Sequence, residues 1–210
     1  LFSGRLRIGI IPTIAPYLLP SIIGHLTAQV PQLDIQVRET QTITLIKELE
    51  EGRLDTAIVA LPVSEAFLSE VALFQENFVL VRPLEDKDKP VPNGESLGKM
   101  RLLLLEEGHC FRDQALSFCN IRPGLSQDGF DGSSLSTLVQ MVGAGIGITL
   151  IPEMAVDVET QSASVATARF PSPEPTRTIG MVWRKSTPLS DQLAQVARMV
   201  RLAANVRSDV

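Results

Sequence analysis

RLRIGIIPTIAPYLLPSIIGHLTAQVPQLDIQVRETQTITLIKELEEGRLDTAIVAL, residues 5–61, decides the fold class. At its start Leu6, Ile8 and Ile10 alternate and the run stops at Pro12, the pattern of a half-buried strand closing in a turn. Leu18, Ile22, Leu26 and Val30 then recur every four residues, flanked by Leu19 and Ile23, and predict a helix ending near Pro31. Leu33 to Glu39 predicts the next strand. Thr42 or Thr44 can cap a helix through Leu45, Ile46 and Leu49 that stops at Gly52, and LDTAIVAL is then a continuous apolar strand. This alternation implies a mostly parallel sheet with right-handed crossovers, whose ligands sit at the carboxyl ends of strands. Thr13 and Thr42 fall at two such ends.

Further along, Val71 to Val81 reads as extended chain, and Pro83 to Gly94 is a polar loop dense in proline and charge. A second series opens there. RLLLLE (Arg101–Glu106) is a buried strand and Cys110 to Cys119 is helix-competent. Ser133 or Ser134 can cap a helix through Leu135, Leu138 and Val142 that stops at the glycines of Gly143 to Gly147, and Gly147 to Ile151 is another strand. PSPEPT (Pro171–Thr176) is a linker by composition, followed by a strand at Arg177 to Trp183 and an amphipathic helix at Leu189 to Leu202. Two α/β lobes are expected, the first built from the N-terminal segment and the extreme C-terminus, the second inserted between them.

The chain has 210 residues, 44% of them hydrophobic, enough for a substantial core and too many for intrinsic disorder. Nineteen Lys and Arg against 24 Asp and Glu give a net charge of -5, so the summed field repels a polyanion and this chain alone is not built to grip nucleic acid. The most apolar stretch, Met141 to Ile151, is eleven residues with three glycines, well short of the roughly 20 needed to span a bilayer. A soluble protein with no membrane association is expected. The start, LFSGRL, has neither an initiator Met nor a signal-peptide pattern, and reads as a domain of a longer cytoplasmic protein.

Chemistry is concentrated in EEGHCFRDQALSFC, Glu106 to Cys119. No GxSxG, P-loop or HExxH occurs, and GAGIG lacks the spacing of a dinucleotide fingerprint; no cofactor is implied. Cys110 follows a loop glycine, opens a helix and has His109 and Arg112 close in sequence, the surroundings that make a thiol reactive. An inert, small buried cysteine fits the same position. If Cys110 to Cys119 is one helix, the thiols lie about 13.5 Å apart along its axis and half a turn around it, whereas a disulfide needs Cα atoms about 4.4 to 6.8 Å apart. Oxidation would then have to unwind the segment, unless these are two unrelated core cysteines packed with Phe111, Leu116 and Phe118. Adjacent His109 and Cys110, with Cys119 or His25 as further ligands, do not match metal-site spacings, so no metal is expected.

GIIPTIAPYLLPSII, ETQTITLIKELEEGRLD, LLLEEGHCFRDQALSFC, SSLSTLVQMVGAGIGITLIP and PTRTIGMVWR together resemble the regulatory domains of the OxyR family, the peroxide-sensing LysR-type transcription factors. The likeness runs nearly end to end. Its two-lobed pattern and the glycine turn are general to LysR-type effector domains, and GHCFRDQ with a second Cys nine residues after the first is specific to the peroxide sensors. The resemblance implies two Rossmann-like lobes like those of a type 2 periplasmic binding protein, residues 1–76 with 178–210 as lobe I and 77–177 as lobe II. It implies that Cys110 is oxidised by hydrogen peroxide to sulfenic acid and that Cys119 resolves it into an intramolecular disulfide. Thr13 and Thr42 match positions that hold the peroxide, His109 and Arg177 match residues around the reduced thiol, and Asp113 matches the acid of RDQ. The family's N-terminal winged helix-turn-helix is absent from this chain, so DNA contact would belong to the intact protein. A homodimer of this domain, a tetramer of the full protein and resetting by a cellular thiol reductant follow from the same likeness. So does a redox switch that controls antioxidant genes, not an enzyme. A LysR-type effector domain that takes a small organic ligand between its lobes is the competing expectation, and the cysteine pair discriminates between them.

Overall fold

The computed structural model describes residues 4–120 and 131–208. In chain order the elements are β1 (Gly4–Ile10), α1 (Ala15–Gln29), β2 (Leu33–Glu39), α2 (Thr42–Glu50), β3 (Thr56–Leu61), β4 (Leu68–Pro83), α3 (Gly94–Leu97), β5 (Leu102–Leu105) and α4 (Cys110–Phe118). They continue with β6 (Asp131–Gly132), α5 (Leu135–Gly143), β7 (Ile148–Pro152), α6 (Val156–Glu159), β8 (Val165–Arg169), β9 (Thr176–Arg184) and α7 (Ser190–Ser208). The chain divides into two compact units, Leu1–Gln75 with Thr178–Val210 and Glu76–Arg177, and it passes from one to the other within β4 and back within β9.

In the first unit β1 lies between β2 and β3, parallel to both, with Gly4 opposite Leu33 and Ile8 opposite Thr56. The antiparallel partner of β3 is β9, with Ala57 opposite Val182, so the parallel set expected from the alternation is closed by one antiparallel strand. The core follows the periodicities: Leu6, Ile8 and Ile10 of β1, Leu18, Ile22 and Leu26 of α1, Leu45 and Leu49 of α2, and Leu193, Val196 and Val200 of α7 are all buried. Arg7 forks onto Asp55, with Nη2 2.7 Å from Oδ1 and Nε 3.1 Å from Oδ2, and the Arg7 backbone N–H donates to Oδ2 at 2.8 Å. Burial alone would raise the Asp55 carboxyl, but these bonds and the Arg7 charge hold it below its ordinary value.

Thr42 and Thr44 do not cap α2. Gln41 occupies the cap without a side-chain bond, and its carbonyl receives the N–H groups of Thr44 and Leu45, both at 3.1 Å. Thr42 is therefore the first helical residue and its hydroxyl is spared for another use. Ser134, by contrast, does cap α5, its hydroxyl accepting the Thr137 N–H at 3.2 Å.

In the second unit β4 pairs antiparallel with β7 and with β8, and β5 lies parallel to β7 and to β6. Phe78 and Leu80 of β4, Leu103 and Leu105 of β5, Leu138 and Val142 of α5 and Leu150 and Ile151 of β7 fill its core. Gly145, at φ +77, turns the chain from α5 into β7, a conformation that favours glycine. Strand β8 and helices α3 and α6 carry no clear periodicity and were not expected from the sequence. No helix among the described residues is long and apolar enough to cross a membrane.

Candidate functional site

The carboxyl end of β5 delivers the chain to Glu106, whose N–H donates to the Gly132 carbonyl at 3.1 Å. Gly108, at φ +92, allows the reversal that follows, His109 takes the cap position, and α4 begins at Cys110. Cys110 is half-buried in the first turn, where backbone N–H groups converge and favour an anion; Cys119 is the C-cap at the other end, 2% exposed. Both thiols are free. Nine helical positions separate them by about 13.5 Å along the axis, so no disulfide fits while α4 stands. Desolvation pushes the Cys119 thiol from its ordinary 9.0 up to about 11.

The first turn of α4 is tied down on two sides. Arg112, buried, donates from Nη1 to the Leu105 carbonyl at 2.6 Å and to Asp131 Oδ1 at 2.7 Å, which binds the helix to β5 and β6. Its charge is thereby committed to Asp131. Phe111 packs edge-on against Phe78, with ring centroids 4.9 Å apart, and the Arg177 guanidinium carbon lies 5.2 Å from the centre of its ring. Arg177 is in turn held by Glu76, Nε to Oε2 at 2.8 Å, with side chains 0% and 4% exposed. The other Glu76 oxygen accepts the Met154 N–H at 3.0 Å. A buried ion pair of this kind is stable only when both partners are bonded, which these are.

At the far end, among the described residues, the ties are of a different kind. Phe118 meets Phe170 edge-on at 5.0 Å, and Asn120, at φ +53, ends the helix in the left-handed region with its N–H on the Ser117 carbonyl at 3.2 Å.

Of the residues singled out from the sequence, His109, Cys110, Asp113, Cys119 and Arg177 lie in the second unit, and Thr13 and Thr42 in the first. His109 is buried, and burial lowers its imidazole below the ordinary value, with Glu106 opposing, so it leans toward the neutral form. Asp113 is exposed on α4, whereas Arg112 before it is buried. Thr13 is buried in the turn after β1. The Thr42 hydroxyl is buried and has no hydrogen-bond partner among the described residues, as does the amide oxygen of Gln114. Glu76, Phe78 and Asp131 escaped sequence reading, because each acts through a partner distant in the chain. No group of three or more His, Cys, Asp or Glu able to hold a metal ion occurs among the described residues.

Residues 1–204 match the LysR substrate binding domain. A curated relative from Escherichia coli strain K12, a DNA-binding transcriptional dual regulator named OxyR, is 44% identical over 205 residues, which cover 95% of this chain and 66% of that protein. The reduced form of the OxyR regulatory domain from Pseudomonas aeruginosa superposes with a TM-score of 0.84 at 35% identity, covering 96% of this chain and 100% of that one. A cysteine-to-serine mutant of Corynebacterium glutamicum OxyR with hydrogen peroxide bound gives a TM-score of 0.90 at 34% identity, over 97% of this chain and 65% of that one. The chain spans 64% to 66% of the length of the curated relatives it matches. By its α/β fold and by its sequence this chain belongs to the LysR substrate-binding domain family and, within it, to the OxyR regulatory domains.

Proposed function

We propose that this chain is the hydrogen peroxide-sensing regulatory domain of a LysR-type transcription factor, a cytoplasmic redox switch and not an enzyme. The observation that carries the reading is α4 itself, with one free thiol at its first residue and a second, buried one at its cap. The relatives support it by name and by fold.

The Cys110 thiolate attacks one peroxide oxygen; the S–O bond forms, the O–O bond breaks, and the leaving hydroxide takes a proton to become water. By the likeness to the OxyR family the hydroxyls of Thr13 and Thr42 are assigned to holding the peroxide; the Thr42 hydroxyl is buried and has no hydrogen-bond partner among the described residues. His109 and Arg177 shape the reduced thiol's surroundings, Arg177 through the Phe111 ring it covers, and Asp113 keeps an exposed carboxylate on the same helix. Cys119 then attacks the sulfenic sulfur. The S–S bond forms, the S–O bond breaks, and a second water leaves.

Because the thiols are too far apart on α4, that second step requires the helix to unwind and Phe118 to leave Phe170. Burying each such side chain is worth roughly 1.5 to 3 kcal/mol, so their displacement costs free energy that the oxidation of the thiols by peroxide must supply, and the apolar surface it exposes can be buried again by rearranging a subunit contact. We place this chemistry in lobe II, residues 77–177, and assign 1–76 with 178–210 to lobe I. The domain would work as a homodimer within a tetrameric regulator, touch DNA only through the N-terminal domain of the family, control antioxidant genes, and be reset by a cellular thiol reductant. Each oxidation consumes the thiol once, which separates a switch from a peroxidase.

The test is mass spectrometry of the thiol-labelled protein before and after one equivalent of peroxide. A loss of two hydrogens with Cys110 and Cys119 joined is expected. Two thiols still open to labelling under denaturing conditions after treatment would overturn the reading in favour of a small-ligand effector domain.

A further inference from the structure

We propose that Gly94 is a positioning residue for Cys119: its bare Cα forms the seat of the last turn of α4 and sets how readily the resolving thiol is released. The inference rests on the redox reading above. A Cβ built on Gly94 would stand 2.3 Å from the Phe118 carbonyl oxygen and 3.6 Å from the Cys119 Cα. Both are backbone atoms, so no change of rotamer relieves the overlap, and a side chain at this position must open the seat.

The α3 side of the contact is held by its own cap and by one buried leucine. Leu97 is fully buried and its N–H donates to the Asn93 carbonyl at 2.9 Å, while the Asn93 side chain accepts the Ser96 N–H at 2.8 Å. The α4 side is a helix end, held by the Cys119 N–H on Ala115 at 3.0 Å and the left-handed turn at Asn120. Both sides of the contact are helix ends, and a displacement of the α4 end carries Cys119 with it. Cys119 is buried and its backbone borders this seat, and attack on the sulfenic sulfur of Cys110, which forms S–S and expels the sulfenic oxygen as water, requires it to leave. Gly94 thus acts on the second chemical step. Oxidation of Cys110 at the opposite end of α4, tied by Phe111 and Arg112, does not depend on it.

The experiment compares Gly94→Ala with the parent protein. In a Cys110→Ser background, alkylation of Cys119 by iodoacetamide under native conditions should rise about tenfold, the size expected when a local opening is eased. In a Cys119→Ser background, the rate of sulfenic acid formation by peroxide should be unchanged. With both cysteines present, the disulfide should follow the sulfenic acid about tenfold faster. Asn93→Ala, which loosens α3 without placing an atom in the seat, should raise Cys119 alkylation in the same direction by about twofold, and decides the matter should Gly94→Ala not fold. Unchanged Cys119 alkylation in the folded variants, or equal acceleration of both chemical steps, overturns the proposal. If alkylation rises but peroxide joins no cysteines in the parent protein, the seat stands and the redox reading fails. If peroxide joins the two cysteines in the parent protein but alkylation is unchanged in the variants, the redox reading stands and the seat fails.

Discussion

At the start of α4 a half-buried cysteine sits among backbone N–H groups, with its neighbours Phe111 and Arg112 fastened to Phe78, Arg177, Leu105 and Asp131. Nine residues on, an identical side chain is sealed from water, its thiol pushed up to about 11, and among the described residues the helix end around it meets Phe170 through Phe118 and closes on Gly94. The same chemical group is half-buried at one end and sealed at the other by position alone. On the proposed function, the end held by Phe111 and Arg112 receives the oxidant and the end at Cys119 lets go.

The sharpest way to break this comparison is to delete each thiol in turn. Cys110→Ser should abolish reaction with stoichiometric peroxide, while Cys119→Ser should still give a sulfenic acid, trapped by a dimedone adduct, that never closes to a disulfide. Equal loss in the two variants would mean that the two ends do not divide the work.

A smaller effect measures how tightly each end is tied. Arg112→Ala leaves the Leu105 carbonyl and Asp131 without their partner and should cost the reduced protein about 2 to 3 kcal/mol in urea denaturation. Phe118→Leu keeps most of the buried volume and should cost about 1 kcal/mol. Comparable costs at both ends would remove the asymmetry on which the unwinding of the C-terminal turn depends.

The smallest expected effect is one of pH. Burial raises the Cys119 thiol in the folded chain above its ordinary 9.0, so an unfolded chain ionises first as the solution becomes alkaline. The contribution of Cys119 to the stability of the reduced protein should therefore be level below about pH 9 and decline as the pH rises toward about 11, the unfolded state having shed a proton that the folded state retains. Cys119→Ala should flatten that part of the profile when denaturation midpoints are followed from pH 8 upward; a decline of the same depth in this variant would assign it to other groups.

Much of this was legible in the sequence because it is local. Apolar spacing of two or four residues marks β1 and α1, the continuous run LDTAIVAL marks β3, and the charged cluster around His109 and Cys110 marks a helix start after a glycine. Side-chain pairing across the chain left no such trace. Arg112 lies beside Cys110 in sequence and reads as a cation for the thiol, yet its guanidinium is spent on Asp131, nineteen residues away. Arg177 meets Glu76 across 101 residues, and β8, half-exposed along much of its length, is a strand only because β4 offers it an edge.

The sequence by itself therefore determined the α/β fold class, the family and the identity of the two thiols, since these depend on residue type and spacing along one helix or strand. Tertiary structure alone decided that Thr42 is spared from capping, that Glu76 holds Arg177 over Phe111, and that Gly94 closes on the end of α4. The physical reason is range. Periodicity reports which face of an element is buried, whereas hydrogen bonds, ring contacts and backbone clashes depend on distances of a few ångströms between segments that only the folded chain brings together.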